Sequence, residues 1–68
     1  MTKWYIVKDD DSGKFADGFY GWDCNIHSED QIFPDDELPY TIDAPYELIF
    51  VGEGDYKPSL KHAQDCSI

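Results

Sequence analysis

Arginine is absent from this 68-residue chain, and there are only five lysines. Lys3, Lys8 and Lys14 lie near the start, Lys57 and Lys61 near the end, and residues 15–56 hold no lysine or arginine at all. This scarcity argues against direct nucleic-acid binding, because phosphate recognition runs on Lys and Arg. It argues equally against attraction to an anionic membrane surface. Cysteine is also sparse. Cys24 and Cys66 are the only two, fewer than small secreted scaffolds use, so the expectation is a cytoplasmic protein with reduced thiols. No apolar stretch approaches the roughly 20 residues that span a bilayer. Met1 leads through Thr2 and Lys3 straight into a strand-like run, which reads as the absence of a signal peptide. There is no internal repeat, linker or low-complexity segment, and the length allows a single domain over residues 1–68.

The chain is rich in rings and acids. Two Trp, five Tyr and four Phe bring the aromatic share to 16%, well above what a disordered acidic tail carries. A chain this short buries only about 60% of its unfolded surface, so large rings must supply much of the core. Fifteen Asp and Glu give a formal net charge of −10. Self-repulsion at that charge opposes compaction. Residues 15–56 hold eleven of the acids: Asp17, Asp23, Glu29, Asp30, Asp35, Asp36, Glu37, Asp43, Glu47, Glu53 and Asp55. No lysine lies inside that stretch to pair with them.

Trp4-Tyr5-Ile6-Val7 is β-branched and aromatic and reads as a strand. Asp9-Asp10-Asp11-Ser12-Gly13 supplies turn chemistry. Lys14 to Trp22 is expected to pair back on the first strand as a hairpin bulged at a glycine. Ser28 and Gln31 have capping-box spacing and should open a helical turn that Pro34 stops. Asp35-Asp36-Glu37-Leu38 reads as a short turn ended by Pro39, and Thr41-Ile42-Asp43 as a short extended piece. Tyr46 to Val51 is a nearly continuous apolar run, the pattern of a central strand covered on both faces. Tyr56 to Ala63 is either a last strand or a helix started near Pro58, and Asp65 to Ile68 a frayed tail. The fold class expected is α+β: a small antiparallel sheet of three to four strands with one or two short helical turns. All-β is the close alternative.

The chemistry-bearing patterns are few. Asp9, Asp10, Asp11 and Gly13 resemble the start of an EF-hand loop, but with Asp9 first the sixth position is Lys14 and the twelfth is Tyr20, where Gly and Glu are needed. Cys24, His27, His62 and Cys66 make a Cys2His2 set with permissible zinc spacing, though not the usual paired-cysteine knuckle. The alternative is that Cys24 is a small buried hydrophobe and the histidines lie on the surface. Cys24 beside His27 is the only local nucleophile–base pairing, and the surrounding acids oppose thiolate formation. Gly52-x-Gly54 lacks the third glycine and the basic residue of a phosphate loop. The expectation is therefore no enzyme, no metal and no cofactor.

The acids themselves remain. They cluster at Asp9-Asp10-Asp11, at Glu29, Asp30, Asp35, Asp36 and Glu37, and at Glu53 and Asp55, in predicted loops and helix starts. Clustering matters because charges further apart than about 8 Å are largely screened at physiological salt. Such a surface steers association with a cationic groove. Tyr40 or Tyr56 would add contact area. A small acidic interaction or regulatory module, gripping a basic enzyme through an aromatic patch anchored on Trp22 or Phe33, is the alternative.

In its size, its ring-rich sheet and its dense acids, the chain resembles phage-encoded DNA-mimic inhibitors, in particular the small acidic anti-CRISPR proteins. Asp9-Asp10-Asp11-Ser12-Gly13, Asp35-Asp36-Glu37, Gly52-Glu53-Gly54-Asp55 and the lack of Arg carry that resemblance. It implies a monomeric, non-enzymatic inhibitor in the cytoplasm of a bacterial host, competing with target DNA for the basic groove of a CRISPR surveillance complex.

Overall fold

A computed structural model describes residues 1–18, 21–38 and 46–67. Among these residues, five strands form one antiparallel sheet: β1 (Lys3–Asp9), β2 (Phe15–Asp17), β3 (Gly21–Asp23), β4 (Phe33–Pro34) and β5 (Tyr46–Glu53). A 3-10 helix spans Glu29–Gln31, and an α-helix, α1, spans Leu60–Cys66. The sheet has one strand more than the sequence suggests, because Phe33–Pro34 pairs with Tyr5 and Trp4 as a short fourth strand. The segment expected at Thr41–Asp43 lies outside the described residues, as do Pro39, Tyr40 and Ile68.

β1 is the centre of the sheet. One of its edges pairs with β5 along its whole length, from Lys3↔Glu53 to Asp9↔Tyr46. The other edge is shared, with β4 at the start and β2 at Lys8↔Phe15. β3 adds outside β2, with Ala16 facing Trp22. Trp4 faces Gly52 but Tyr5 faces Phe50, so the β1–β5 register shifts by one residue at Val51. That bulge increases local twist. The hairpin expected between β1 and the following segment forms, but its ring-rich half folds again on itself as β2–β3.

The run at Tyr46–Val51 is a strand, as its composition requires, but not a central one. Among the described residues β5 pairs only with β1. Alternation divides its side chains: Ile49 and Val51 turn inward, while Tyr46, Leu48 and Phe50 are exposed. A strand with rings on an open face reads as apolar as one buried on both sides.

The larger core cluster comprises Ile6, Phe15, Ile26, Ile32, Val51 and Ala63, with Trp4, Ile49 and Leu60 packed around it. Helix α1 covers this face. Ser59 caps it, its Oγ accepting from the His62 N–H at 3.2 Å, so Pro58 precedes the cap rather than opening the helix. The helix runs through Asp65 and Cys66, where a frayed tail was expected. The opposite face holds a smaller cluster of Val7, Ala16 and Phe33, with Leu38 against it.

Gln31 is the polar centre of the fold. Its exposure is 0%, and it is the one buried polar residue among those described. Its Oε1 accepts from the backbone N–H groups of His27 at 2.7 Å and Ser28 at 2.9 Å, and its Nε2 donates to the Asn25 carbonyl at 2.7 Å. The expected capping box is present, and the 3-10 helix ends at Gln31, three residues before Pro34.

Candidate acidic interface

Each predicted acidic cluster sits at the end of a structural element. Asp9 closes β1, and Asp10 and Asp11 form the turn that follows. Asp9 is only half-buried, but its carboxylate is occupied: Oδ1 accepts from the Asp11 N–H at 3.0 Å and Oδ2 from the Ser12 hydroxyl at 2.9 Å. The Asp9 carbonyl accepts from the Gly13 N–H at 2.9 Å. Gly13 takes φ 74°, which a side chain would resist. Asp9 therefore builds the turn, and Asp10 and Asp11 present it.

Glu29 and Asp30 are exposed on the 3-10 helix. Asp35, Asp36 and Glu37 are exposed in the turn after β4, and Glu53 and Asp55 around the turn that ends β5. Two of these turns flank the start of β1. The Asp35 N–H donates to the Lys3 carbonyl and the Gly54 N–H to the Thr2 carbonyl, each at 2.9 Å. The Trp4 indole N–H reinforces the second turn by donating to the Gly54 carbonyl at 3.0 Å. Lys57 reaches the Glu29 carbonyl at 2.9 Å, tying the 3-10 helix to the segment after Asp55. The structure thus brings Asp35–Glu37 and Glu53–Asp55 to one end of the sheet and leaves Asp9–Asp11 at the other.

The lysines do not neutralise these groups. Lys57 is used on a backbone carbonyl, and Lys8 lies over the Phe15 ring at 6.0 Å. Among the described residues the only ion pair is His27 with Asp23.

That pair belongs to a constellation absent from the sequence reading. Asp17 and Asp23 lie on paired strands on the same face of the β2–β3 hairpin, and His27 follows in the next loop. One ligand atom from each lies within 4.8 Å of the other two. The hydrogen bond to His27 lowers the Asp23 pKa, and the same bond, with the Asp23 and Asp17 charges, raises that of His27. The Cys24, His27, His62 and Cys66 set therefore does not assemble. His27 faces the two aspartates, while His62 donates to the Val51 carbonyl at 2.6 Å and lies 3.9 Å from the Cys66 sulfur. Cys24 is exposed rather than a buried hydrophobe, and neither cysteine is in a disulfide.

Of the rings expected at a partner surface, Tyr56 is 88% exposed and Trp22 is partly exposed. Phe33 is in the smaller core cluster at 5% and offers no surface anchor. Tyr46, Leu48 and Phe50 form an exposed apolar row on β5 that the sequence reading missed; the exposed side of an alternating strand was its available signal. Among the described residues, no helix is long and apolar enough to cross a membrane. Comparisons with known protein families, with characterised proteins and with solved structures find no match to this chain.

Proposed function

We propose that this protein is a stoichiometric inhibitor that presents clustered carboxylates as a mimic of DNA, in the manner of an anti-CRISPR protein, and blocks the DNA-binding groove of a CRISPR surveillance complex. The observation that carries the reading is uncompensated charge. The acids of the presenting turns stand exposed at element ends, and no described lysine pairs with any of them. Duplex DNA offers a phosphate about every 3.4 Å along a strand. The 30 Å long axis of the domain matches roughly nine such steps. Groove Lys and Arg would pair with Asp35, Asp36, Glu37, Glu53 and Asp55 at one end of the sheet and with Asp10 and Asp11 at the other. Glu29 and Asp30 would extend the first array, and Asp9 would hold its turn in shape. No cofactor or catalytic residue enters the mechanism; it is occlusion by one folded copy.

The test is competition. The protein should displace target DNA from a purified surveillance complex at a one-to-one ratio and lose affinity steeply as salt rises. DNA binding undisturbed by excess protein across CRISPR types would refute the reading.

A second reading has its own observation. Tyr46, Leu48 and Phe50 are exposed in a row on β5, which suits a regulatory module that grips a basic enzyme through apolar contact. Binding of that kind changes little with salt and is lost in Phe50→Ser.

A further inference from the structure

We infer that Asp17, Asp23 and His27 form a binding site for a single divalent transition-metal ion of the zinc type, independent of the acidic turns assigned to the groove. Two carboxylate oxygens and one imidazole nitrogen are a complete set of protein ligands for an open site, in which water fills the remaining positions. No two of the three ligand atoms lie more than 4.8 Å apart, which is at most about 1.5 Å beyond the roughly 3.3 Å at which metal–ligand bonds of about 2.0–2.2 Å place ligands; the hydrogen-bonded Asp23–His27 pair is closer than that and would open to admit the ion. Rotation of partly exposed side chains covers that difference.

The backbone holds all three ligands from independent directions. Asp17 ends β2 opposite Gly21. Gly21 is required there, because a Cβ at that position would lie 2.7 Å from the Asp17 carbonyl oxygen. Asp23 ends β3, and one of its carboxylate oxygens accepts from the Asn25 N–H at 3.4 Å, leaving the other toward His27. The His27 backbone is fixed by buried Gln31. The Gly18 N–H donates to the Asp30 carbonyl at 3.0 Å, fastening the end of β2 to the 3-10 helix below the site.

His27 is the only counter-charge paired with the two aspartates among the described residues. The half-buried Asp17 carboxylate makes no hydrogen bond or ion pair among the described residues, and no lysine approaches either aspartate. A divalent ion would neutralise both and replace the Asp23–His27 hydrogen bond. The nitrogen donor selects against magnesium and calcium, which prefer all-oxygen shells, and favours zinc, cobalt, nickel or copper. Bound metal would join β2, β3 and the loop through His27.

The metal-free full chain can be titrated with zinc chloride and followed by calorimetry and amide NMR. One zinc per chain is expected, with shifts centred on residues 17 and 21–27 and a raised Tm. Asp17→Asn and His27→Asn should each weaken zinc at least about tenfold, since even outer-shell changes cost about 10–100-fold. Amide dispersion verifies that each variant folds. Asp17→Asn is isosteric, so it remains informative if the histidine variant does not fold. His62→Asn, Cys66→Ser and Cys24→Ser should leave affinity within about twofold, well below that range. Zinc binding untouched by Asp17→Asn, lost in a cysteine or His62 variant, or matched by magnesium would overturn the assignment.

Discussion

Gln31→Met is the most informative single perturbation of this fold. The replacement keeps the volume of the side chain, so little cavity forms, and removes every polar atom. Three hydrogen bonds disappear: from the His27 and Ser28 N–H groups to Oε1, and from Nε2 to the Asn25 carbonyl. The three backbone groups are left without their partner in part-buried surroundings. An unsatisfied buried group costs about 1–3 kcal/mol. The lower end applies because these groups are not fully enclosed, so the expected loss is about 3 kcal/mol. A core of this size rarely supplies more than about 3–5 kcal/mol, so the variant should stand close to its unfolding midpoint at room temperature. With about 4–8 °C of Tm per kcal/mol in a domain this small, the drop should be about 12–24 °C. Thermal and urea unfolding followed by circular dichroism measure it directly. Ser28→Ala removes the other half of the capping box, in which the Ser28 Oγ accepts from the Gln31 backbone, together with its bond from the Asp30 N–H at 3.2 Å, and should cost about 1 kcal/mol. A Gln31→Met loss no larger than that of Ser28→Ala would show that Gln31 is not the hub its bonds indicate.

Four further outcomes are expected. Reversing Asp35, Asp36 and Glu37 to Lys should weaken groove binding by more than tenfold, while Asp65→Lys changes it little; competition with target DNA at about 50 and 200 mM salt reads both effects. Trp4→Phe removes the indole bond to Gly54 and should cost about 0.5–1.5 kcal/mol beyond lost packing, read as a fall in Tm. Gly21→Ala should destabilise the β2–β3 hairpin, because its Cβ would meet the Asp17 carbonyl; loss of NMR cross-strand contacts between Ala16 and Trp22 would report it. The His27–Asp23 pair should stabilise the metal-free fold over a defined pH window. His27 has a folded pKa raised above its ordinary 6.5, so its contribution is full below that value and fades as pH climbs through the folded pKa. Asp23 has a folded pKa lowered from 3.8, so its contribution is present above 3.8 and fades as pH falls through the folded pKa. The pair therefore acts most strongly between these two ordinary values. In a chelator-containing NMR titration, Asp23→Asn should shift the His27 midpoint downward.

Local signals in the sequence were easy to read, and long-range ones were not. Ser28 and Gln31 marked the capped 3-10 helix because both halves of the box lie within four residues. The first strand, the acidic turn at Asp9–Gly13 and the apolar strand at Tyr46 were legible for the same reason. The position of that strand was not, because a row such as Leu48-Ile49-Phe50-Val51 looks identical whether rings meet a second layer or solvent. The helical end at Asp65–Cys66 was hidden by its polar composition and by a cap at Ser59 rather than at Pro58. The Asp17–Asp23–His27 constellation depends on a hairpin turning between β2 and β3. With residues 14–22 taken as a single arm paired to β1, no spacing rule brings those three together. The exposure of the acids at residues 29–37 and 53–55 followed from turn chemistry, but their gathering at one end of β1 depends on tertiary hydrogen bonds from Asp35 and Gly54.

The pairing of β1 with β5 has a kinetic consequence. The first strand finds its longest partner only after more than thirty intervening residues, with Lys3 opposite Glu53 and Asp9 opposite Tyr46. The loop that joins them must close before most of the ladder can form, and its entropy is lost ahead of any reward. A chain of this length with mainly local contacts would fold in microseconds; one dominated by such distant pairing belongs in the millisecond-to-second range. During synthesis, β1 must wait with an open edge until Glu53 has left the ribosome. The dense acids on the intervening segment would then have a second use, since like-charged nascent chains repel one another while that edge is exposed.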